Sequence, residues 1–322
     1  MPSTLGTLGT YHGDIKMARS FLTANDLSSE DLFAIFERAR ILKQAIKERK
    51  ALDVLRNRVI GIFFEKPSTR TRTSFESAIL RLGGAAIYLA PDNLQIKRGE
   101  PIEDTGRMLG SYLDAVNARV YAHQTVQDFS RYSGIPVING LSDLEHPTQA
   151  VCDLFTILET KGELKGLTLT YIGDGNNVSH SLLLICALAG MNMNVACPEG
   201  YSPRPDILNK ANEIAEKTGA KMGVFYNPKE AAEGADILYT DVWVSMGEEG
   251  EEETKLNDFQ GYQINADLLG IASKDARIMH CLPAHRGQEI TNDVIEGPQS
   301  IVWQQAENKM HGAAGILDYF LS

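Results

Sequence analysis

The chain of 322 residues has an ordinary globular composition, with 43% hydrophobic and 23% charged residues. This composition excludes a disordered or fibrous protein. By area scaling, folding would bury about three quarters of the unfolded surface, which is enough for two cores. The formal net charge of −11 argues against a nucleic-acid partner, and no apolar run approaches the ~20 residues that span a membrane. At ~150 residues per domain, this length predicts two domains.

The four cysteines are far apart in the sequence and form no C-x-x-C pair, which favours reduced thiols and a cytoplasmic location. They are Cys152, Cys186, Cys197 and Cys281. Residues 1–17 are rich in Gly and Thr, show no hydrophobic period and lack a secretory signal, so we expect a flexible extension there. Patterned sequence begins directly after Met17, which is therefore an alternative start.

The first half of the chain alternates helical patterns with short apolar runs. Ser28 and Asp31 resemble a capping box and open an amphipathic helix with one apolar stripe. Hydrophobic periodicity then predicts strands over residues 59–64, 86–89, 119–121 and 137–138, with helices over 70–82, 105–113 and 126–132.

The second half repeats this plan. Strands are predicted over 168–172, 194–196, 223–225, 237–239, 277–279 and 301–302, and helices over 148–159, 180–189, 206–218 and 306–320. Strands separated by helices imply right-handed crossovers and parallel sheets. We therefore predict an α/β protein with two doubly wound domains, each a parallel sheet flanked by helices, over residues 18–150 and 151–305. Interdomain helices would join them, and the C-terminal helix, 306–322, would pack back on the first domain.

The most informative motif lies where the first predicted strand ends. Residues 65–75 read Glu-Lys-Pro-Ser-Thr-Arg-Thr-Arg-Thr-Ser-Phe. Ser68 or Thr69 can cap the following helix, whose free N–H groups and dipole favour an anion, and Arg70 can hold two phosphate oxygens at once. Three cations in so short a segment of an acidic chain favour a phosphate-binding cradle over an ordinary capped helix.

Ser68-Thr69-Arg70-Thr71 resembles the signature of the aspartate/ornithine carbamoyltransferase family, and further motifs follow in the family's order. They are His146-Pro147-Thr148-Gln149, Gly173-Asp174-Gly175-Asn176-Asn177, Asp241-Val242-Trp243-Val244-Ser245-Met246-Gly247 and His280-Cys281-Leu282-Pro283-Ala284. The last three are similar to elements of the ornithine-specific branch. This resemblance covers residues 21–320. It implies transfer of the carbamoyl group of carbamoyl phosphate to the side-chain amine of L-ornithine, which gives L-citrulline and phosphate.

The resemblance implies that the first domain binds carbamoyl phosphate. The matching positions are Ser68, Thr69, Arg70, Thr71, Gln95, Arg119, His146, Gln149, Cys281, Leu282 and Lys309. Arg70, Arg119 and His146 would face the developing oxyanion, an electrostatic role, while Gln149 would bind the carbamoyl amide. Lys309 departs from the family, which usually has arginine there. Lysine keeps the charge but loses the bidentate fork.

The resemblance implies that the second domain binds ornithine. The matching positions are Asn177, Asp241, Ser245 and Met246, and the implied catalytic residues are Arg70, Arg119, His146, Asp241 and Cys281. Asp241 and Cys281 would contact the side-chain nitrogen. Since a carboxylate alone raises an amine's pKa, Asp241 is expected to orient the amine rather than act as a strong base. Direct transfer needs no covalent cysteine intermediate, no cofactor and no metal.

A homotrimer, or a multiple of trimers, is also implied, with active sites shared between subunits. Gln95 matches the family glutamine that reaches the neighbouring subunit's carbamoyl phosphate, whereas the residue alone would indicate a solvated loop glutamine.

Other functions stay open at this point. A related enzyme could use another amine, such as putrescine or an N-acylated ornithine, and a non-catalytic paralogue could keep the phosphate cradle alone. An NAD-dependent oxidoreductase is weakly supported, because Val178 stands where the third glycine or alanine of a dinucleotide loop belongs. The sequence does not decide the direction of the reaction in the cell.

Overall fold

The computed structural model describes residues 18–90, 92, 94–244, 250 and 252–322. The expectations for residues 1–17, Met17 included, and for Ser245 and Met246 concern positions outside the described residues. Within the described part of the chain, no helix has both the length and the apolar character needed to cross a membrane. Two parallel sheets flanked by helices confirm the expected α/β class.

The first sheet has four parallel strands in the order β2-β1-β3-β4. Its strands are β1 (Val59–Phe64), β2 (Ala85–Leu89), β3 (Ala115–Arg119) and β4 (Val137–Leu141). The helices of this half are α1 (Ser29–Lys47), α2 (Thr69–Arg81), α3 (Ile102–Gly110) and α4 (His123–Ser133), and α5 (Pro147–Lys161) leads out of it. The expected capping box opens α1. The two central strands are almost wholly buried, as in parallel sheets covered by helices on both faces.

The second sheet has five parallel strands in the order β7-β6-β5-β8-β9. They are β5 (Thr168–Ile172), β6 (Asn192–Ala196), β7 (Met222–Phe225), β8 (Ile237–Thr240) and β9 (Arg277–His280). The helices are α6 (Asn177–Ala189), α7 (Pro205–Thr218), α8 (Pro228–Ala232), α9 (Glu252–Asp258), α10 (Ala266–Leu269) and α11 (Asn292–Ile295). All pairs being parallel, the carboxyl ends of these strands meet at one edge of the sheet.

The last helix, α12 (Val302–Leu321), packs against α1, α2 and α5. At Gly315 an added Cβ would lie 2.8 Å from the backbone oxygen of Ile35, so α12 and α1 approach more closely than a side chain there would permit. α5 is buried over its first eleven residues, because α6 and α12 pack against it. Helices α5 and α12 therefore each contact elements of both halves of the chain.

Some expected element ends were wrong. The strand predicted over 301–302 does not form: α12 begins at Val302, and only Ser300 makes an isolated bridge to Ile278. The strand predicted over 119–121 is β3, which ends at Arg119 instead of beginning there. The buried polar side chain of Asn117 interrupts the apolar run and concealed the first part of this strand.

Candidate active site

The carboxyl ends of the two sheets border a common cleft with a volume of about 340 Å³. Arg119 and Leu141 line it from the ends of β3 and β4, while Asp241 and Cys281 line it directly after β8 and β9. Ligand sites of open parallel sheets lie at this edge, where chains leave strands for loops and helices.

The amino end of α2 forms one wall of the cleft. Ser68 caps this helix, since its Oγ accepts a hydrogen bond from the backbone N–H of Thr71 at 3.3 Å. Thr69 and Arg70 line the same wall, and the guanidinium-bearing side chain of Arg70 is half-buried. Free first-turn N–H groups, hydroxyls and a guanidinium together suit an oxyanion such as phosphate.

Arg119 brings a second guanidinium to this wall. Its side chain is buried, and its Nε has no hydrogen-bond partner among the described residues. Burial, together with the charge of Arg70, lowers the pKa of Arg119 to about 10. Arg119 therefore stays charged at neutral pH, and the two guanidiniums would be stabilised by an anion placed between them.

His146, Gln149 and Lys309 form the floor of the cleft. His146 stands at the N-cap position of α5. Burial, followed by the charges of Lys309 and Arg119, lowers its pKa well below the usual value, so the ring is neutral. Lys309 donates a hydrogen bond to Gln149 Oε1, although 160 positions separate the two residues in the sequence. Burial lowers the pKa of Lys309 to about 8. A neutral imidazole and an ammonium group can both donate to a carbonyl oxygen.

Asp241 and Cys281 lie side by side on the opposite wall. Cys281 donates its thiol hydrogen to Asp241 Oδ1 over 2.9 Å, and the same oxygen accepts from the backbone N–H of Val242 at 2.8 Å. Burial and the carboxylate raise the pKa of Cys281 well above its ordinary value. The sulfur is thus a thiol donor and not a thiolate nucleophile, as the sequence led us to expect.

The loop between β5 and α6 closes this wall. Asn176 caps α6 by accepting from the N–H groups of Val178 and Ser179 at 3.0 and 3.2 Å. Asn177 lines the cleft and donates to the carbonyl oxygen of Ser142 at 2.6 Å, which ties the two halves together. A helix amino end at this position favours a carboxylate ligand.

Gly175, in the loop that resembles a dinucleotide-binding motif, has a structural role within this chain. A Cβ added there would lie 2.3 Å from the backbone nitrogen of Pro203, and the Gly175 N–H donates to the carbonyl of Tyr201 at 2.8 Å. The glycine thus permits a close approach of two backbone segments of this chain. A dinucleotide loop uses its glycines for a close approach to the pyrophosphate instead.

Leu282 follows Cys281 with a φ of 59°, a left-handed conformation that is unusual for a leucine. The backbone N–H of Leu282 donates to His280 Nδ1 at 2.8 Å, which holds this turn. Such strained residues gather at functional sites, and Leu282 lines the cleft.

Asp241, His280 and Cys281 place three potential metal-ligand atoms within 4.8 Å of one another. However, His280 Nδ1 already accepts from the N–H of Leu282, and Nε2 lies 3.0 Å from Glu289 Oε1. Both ring nitrogens are therefore engaged in hydrogen bonds, and this group does not fit a metal ion without breaking one of them.

Most of the sequence-predicted site residues meet in this cleft. It is lined by Ser68, Thr69, Arg70, Thr71, Arg119, His146, Gln149, Asn177, Asp241, Cys281, Leu282 and Lys309. Gln95 does not line the cleft of its own chain: its side chain is exposed, and its Oε1 accepts from Arg98 at 3.4 Å. Ser245 and Met246 lie outside the described residues.

Sequence reasoning missed two contributors. His285 lines the cleft three residues after Leu282. Asp153 lies beneath the floor and accepts a hydrogen bond from Gln149 Nε2 at 2.8 Å. Its position one helical turn after Gln149, as a lone carboxylate in an apolar run, was the available signal.

Two family models match the chain. The carbamoyl-P binding domain of aspartate/ornithine carbamoyltransferase matches residues 19–159, and the Asp/Orn binding domain matches residues 165–320. Among curated relatives, the ornithine carbamoyltransferase of Archaeoglobus fulgidus is 50% identical over 299 residues, which is 93% of this chain and 96% of that protein. The ornithine carbamoyltransferase of Gloeobacter violaceus is 50% identical over 305 residues, or 95% and 96% of the two chains.

Solved structures of ornithine carbamoyltransferases also match this chain. The ornithine carbamoyltransferase of Pyrococcus furiosus superposes with a TM-score of 0.90 at 46% identity, covering 93% of this chain and 96% of its own. That of Gloeobacter violaceus gives a TM-score of 0.85 at 44% identity, covering 95% and 99%. Matches of this extent and identity show that the chain belongs to the aspartate/ornithine carbamoyltransferase family.

Proposed function

We propose that this chain is a carbamoyltransferase that transfers the carbamoyl group of carbamoyl phosphate to the side-chain amine of L-ornithine. The products are L-citrulline and phosphate. The observation that carries this proposal is a cleft that combines an anion-binding wall at α2 and Arg119 with the Asp241–Cys281 pair opposite. Relatives that are about half identical over nearly the whole chain are named ornithine carbamoyltransferase.

The donor occupies the wall formed by α2 and the floor. The helix amino end with Ser68, Thr69 and Thr71 holds the phosphate, and Arg70 and Arg119 neutralise its charge. The carbonyl oxygen lies towards Arg70, Arg119 and His146, whose charges and N–H group stabilise the negative charge that develops on attack. Gln149 Oε1 and the Leu282 carbonyl accept from the carbamoyl NH₂.

The acceptor occupies the second wall. Asn177, together with Ser245 and Met246, binds the amino-acid end of ornithine, and Asp241 and Cys281 orient the side-chain nitrogen. The neutral amine attacks the carbonyl carbon, so a C–N bond forms and the C–O bond to phosphate then breaks. The amine must lose one proton before attack and another afterwards, and the departing phosphate accepts the second.

A citrulline-formation assay with purified protein tests this function. Carbamoyl phosphate and L-ornithine should give citrulline and phosphate in equal amounts, while putrescine and N-acetylornithine serve as alternative acceptors. Faster carbamoylation of either control amine would reassign the acceptor, and no carbamoylation of any amine would refute the proposed activity.

Further proposals concern organisation and assembly. Residues 18–150 form the carbamoyl phosphate domain with helix 306–322 packed against it, residues 151–305 form the ornithine domain, and the four free cysteines support a cytoplasmic location. The active unit is a homotrimer, or a multiple of trimers, in which Gln95 serves the neighbouring subunit's site. The exposure of Gln95, outside its own chain's cleft, supports this assignment.

Subunit mixing tests the shared site. Arg70→Ala disables a site from its own subunit, whereas Gln95→Ala disables the neighbour's. Hybrid trimers of the two weak variants should regain activity above the sum of the separate variants, because some sites then contain both intact residues. If Gln95→Ala is weak alone and verified hybrids show no recovery, Gln95 belongs to its own subunit's site.

A further inference from the structure

Asp153 is a buried carboxylate that the proposed reaction does not use directly. Its side chain is fully buried in α5 and accepts three hydrogen bonds, each of 2.8 Å. The donors are Gln149 Nε2 and Gln305 Nε2, both to Oδ1, and the Tyr239 hydroxyl, to Oδ2. Burial raises the pKa of Asp153 to about 6 even though these donors oppose the shift, so both oxygens are acceptors at neutral pH.

The three donors connect Asp153 to different parts of the cleft. Gln149 lines the floor itself. Tyr239 lies in β8, two residues before Asp241. Gln305 lies in α12, four residues before Lys309, and its Oε1 accepts from the backbone N–H of His280 at 2.9 Å. Asp153 therefore joins the floor to the strands that carry the acceptor wall.

The contact with Gln149 determines which way its amide points. Lys309 has only donors, and a carboxylate has only acceptors. Gln149 must therefore direct Oε1 to Lys309 and Nε2 to Asp153. A flipped amide would place its NH₂ group against the ammonium and its carbonyl oxygen against the carboxylate. The carbonyl oxygen thereby stays on the cleft side with a second lone pair available for an N–H donor.

We infer that Asp153 is a positioning residue that fixes the Gln149 carbonyl towards the cleft and so selects a donor bearing an NH₂ group. This inference rests on the proposed function, in which Gln149 accepts from the carbamoyl group. Acetyl phosphate has the same phosphate and carbonyl but a methyl group in place of NH₂. It therefore gains nothing from a correctly oriented Gln149.

The test compares the affinities of carbamoyl phosphate and acetyl phosphate. Dissociation constants are measured without ornithine, and their ratio defines the donor preference. Asp153→Leu leaves Gln149 Nε2 without its acceptor and should reduce the preference about fivefold, the net contribution of one hydrogen bond. Asp153→Asn can still offer an oxygen to Gln149 and should keep the preference within about twofold of wild type.

Tyr239→Phe is the matched control, because it removes a hydrogen bond to the other oxygen of Asp153 and leaves the Gln149 contact intact. It should leave the donor preference unchanged. If Asp153→Leu does not fold, Asp153→Leu combined with Tyr239→Phe removes the stranded hydroxyl and carries the same test. A second comparison uses a Gln149→Leu background, in which Asp153→Leu should change the preference no further.

Three results would overturn the inference, and the first two would each make Asp153 a purely structural residue. The first is an equal loss of affinity for carbamoyl phosphate and acetyl phosphate in Asp153→Leu, and the second is a shift of preference in Tyr239→Phe as large as that in Asp153→Leu. The third is a further fall of the preference when Asp153→Leu is added to the Gln149→Leu background. Failure of the proposed function would instead appear as a wild-type protein that forms no citrulline.

Discussion

Lys309 is the buried cation whose charge is most open to change by pH. Burial lowers its pKa to about 8, and the nearby Arg119 guanidinium acts in the same direction. Lys309 therefore loses its proton, and with it its positive charge, as the pH rises through about 8. His146 is already neutral at pH 7, the pKa of Cys281 is raised well above its usual value, and that of Arg119 is about 10. These three groups largely keep their charge state between pH ~7 and pH ~9, the interval over which Lys309 titrates.

The size of the effect follows from that pKa. A group with a pKa of about 8 is about nine-tenths protonated at pH ~7 and about one-tenth protonated at pH ~9. If only the ammonium form of Lys309 supports the phosphate and the Gln149 carbonyl, the affinity for carbamoyl phosphate should fall up to ~10-fold, or ~1.4 kcal/mol, over this interval. Lys309→Arg keeps its charge throughout and restores the bidentate fork, so it should bind at least as tightly and lose little affinity.

Equilibrium binding of carbamoyl phosphate in the absence of ornithine is the appropriate assay, because the titration of the amine substrate is then left out. Lys309→Ala is the control and should bind weakly at every pH. Equal pH profiles for wild type and Lys309→Arg would refute a role for the lysine charge. A loss of activity in Lys309→Arg as large as in Lys309→Ala would mean that the geometry of lysine itself is required.

Three further substitutions test the remaining parts of the cleft. Arg70→Ala should reduce kcat/KM by at least ~100-fold, or about 3 kcal/mol, and near-normal kinetics would place the phosphate cradle elsewhere. Gly175→Ala should lower Tm by at least ~2 °C and raise KM for ornithine, because its Cβ meets the Pro203 backbone, whereas Gly250→Ala, with open space around it, should do neither. Cys281→Ser can still donate to Asp241 and should retain more kcat/KM than Cys281→Ala; equal losses would show that this hydrogen bond is not used.

Local sequence patterns were sufficient where a structural feature depends on neighbouring residues. The capping box of α1 and the cap of α2 by Ser68 form as expected, because each needs only residues within one turn. Strand exits were located well enough to place Asp241 and Cys281 after β8 and β9. The strand prediction for residues 301–302 was wrong because two apolar residues suit a strand and a helix start equally well.

Contacts between distant segments could not be obtained in this way. The bond of Lys309 to Gln149 and the position of Asp153 beneath the floor depend on how α12 packs against α5. The resemblance to the family identified Lys309 as a site residue, but only the fold shows that its partner is Gln149. The lone acid in the apolar run of α5 was a signal for Asp153, but its partners Gln305 and Tyr239 lie far away in the sequence and are known only from the fold.

The distribution of charge in the cleft explains how an acidic chain can bind a phosphate and activate an amine. The described residues that line the cleft include the cations Lys66, Arg70, Arg119 and Lys309 and one carboxylate, Asp241, despite the net charge of −11. Nearby cations and burial both lower the pKa of an amine, whereas the single carboxylate raises it. The cleft thus favours the neutral nucleophile overall, and Asp241 can orient its nitrogen without holding it fully protonated.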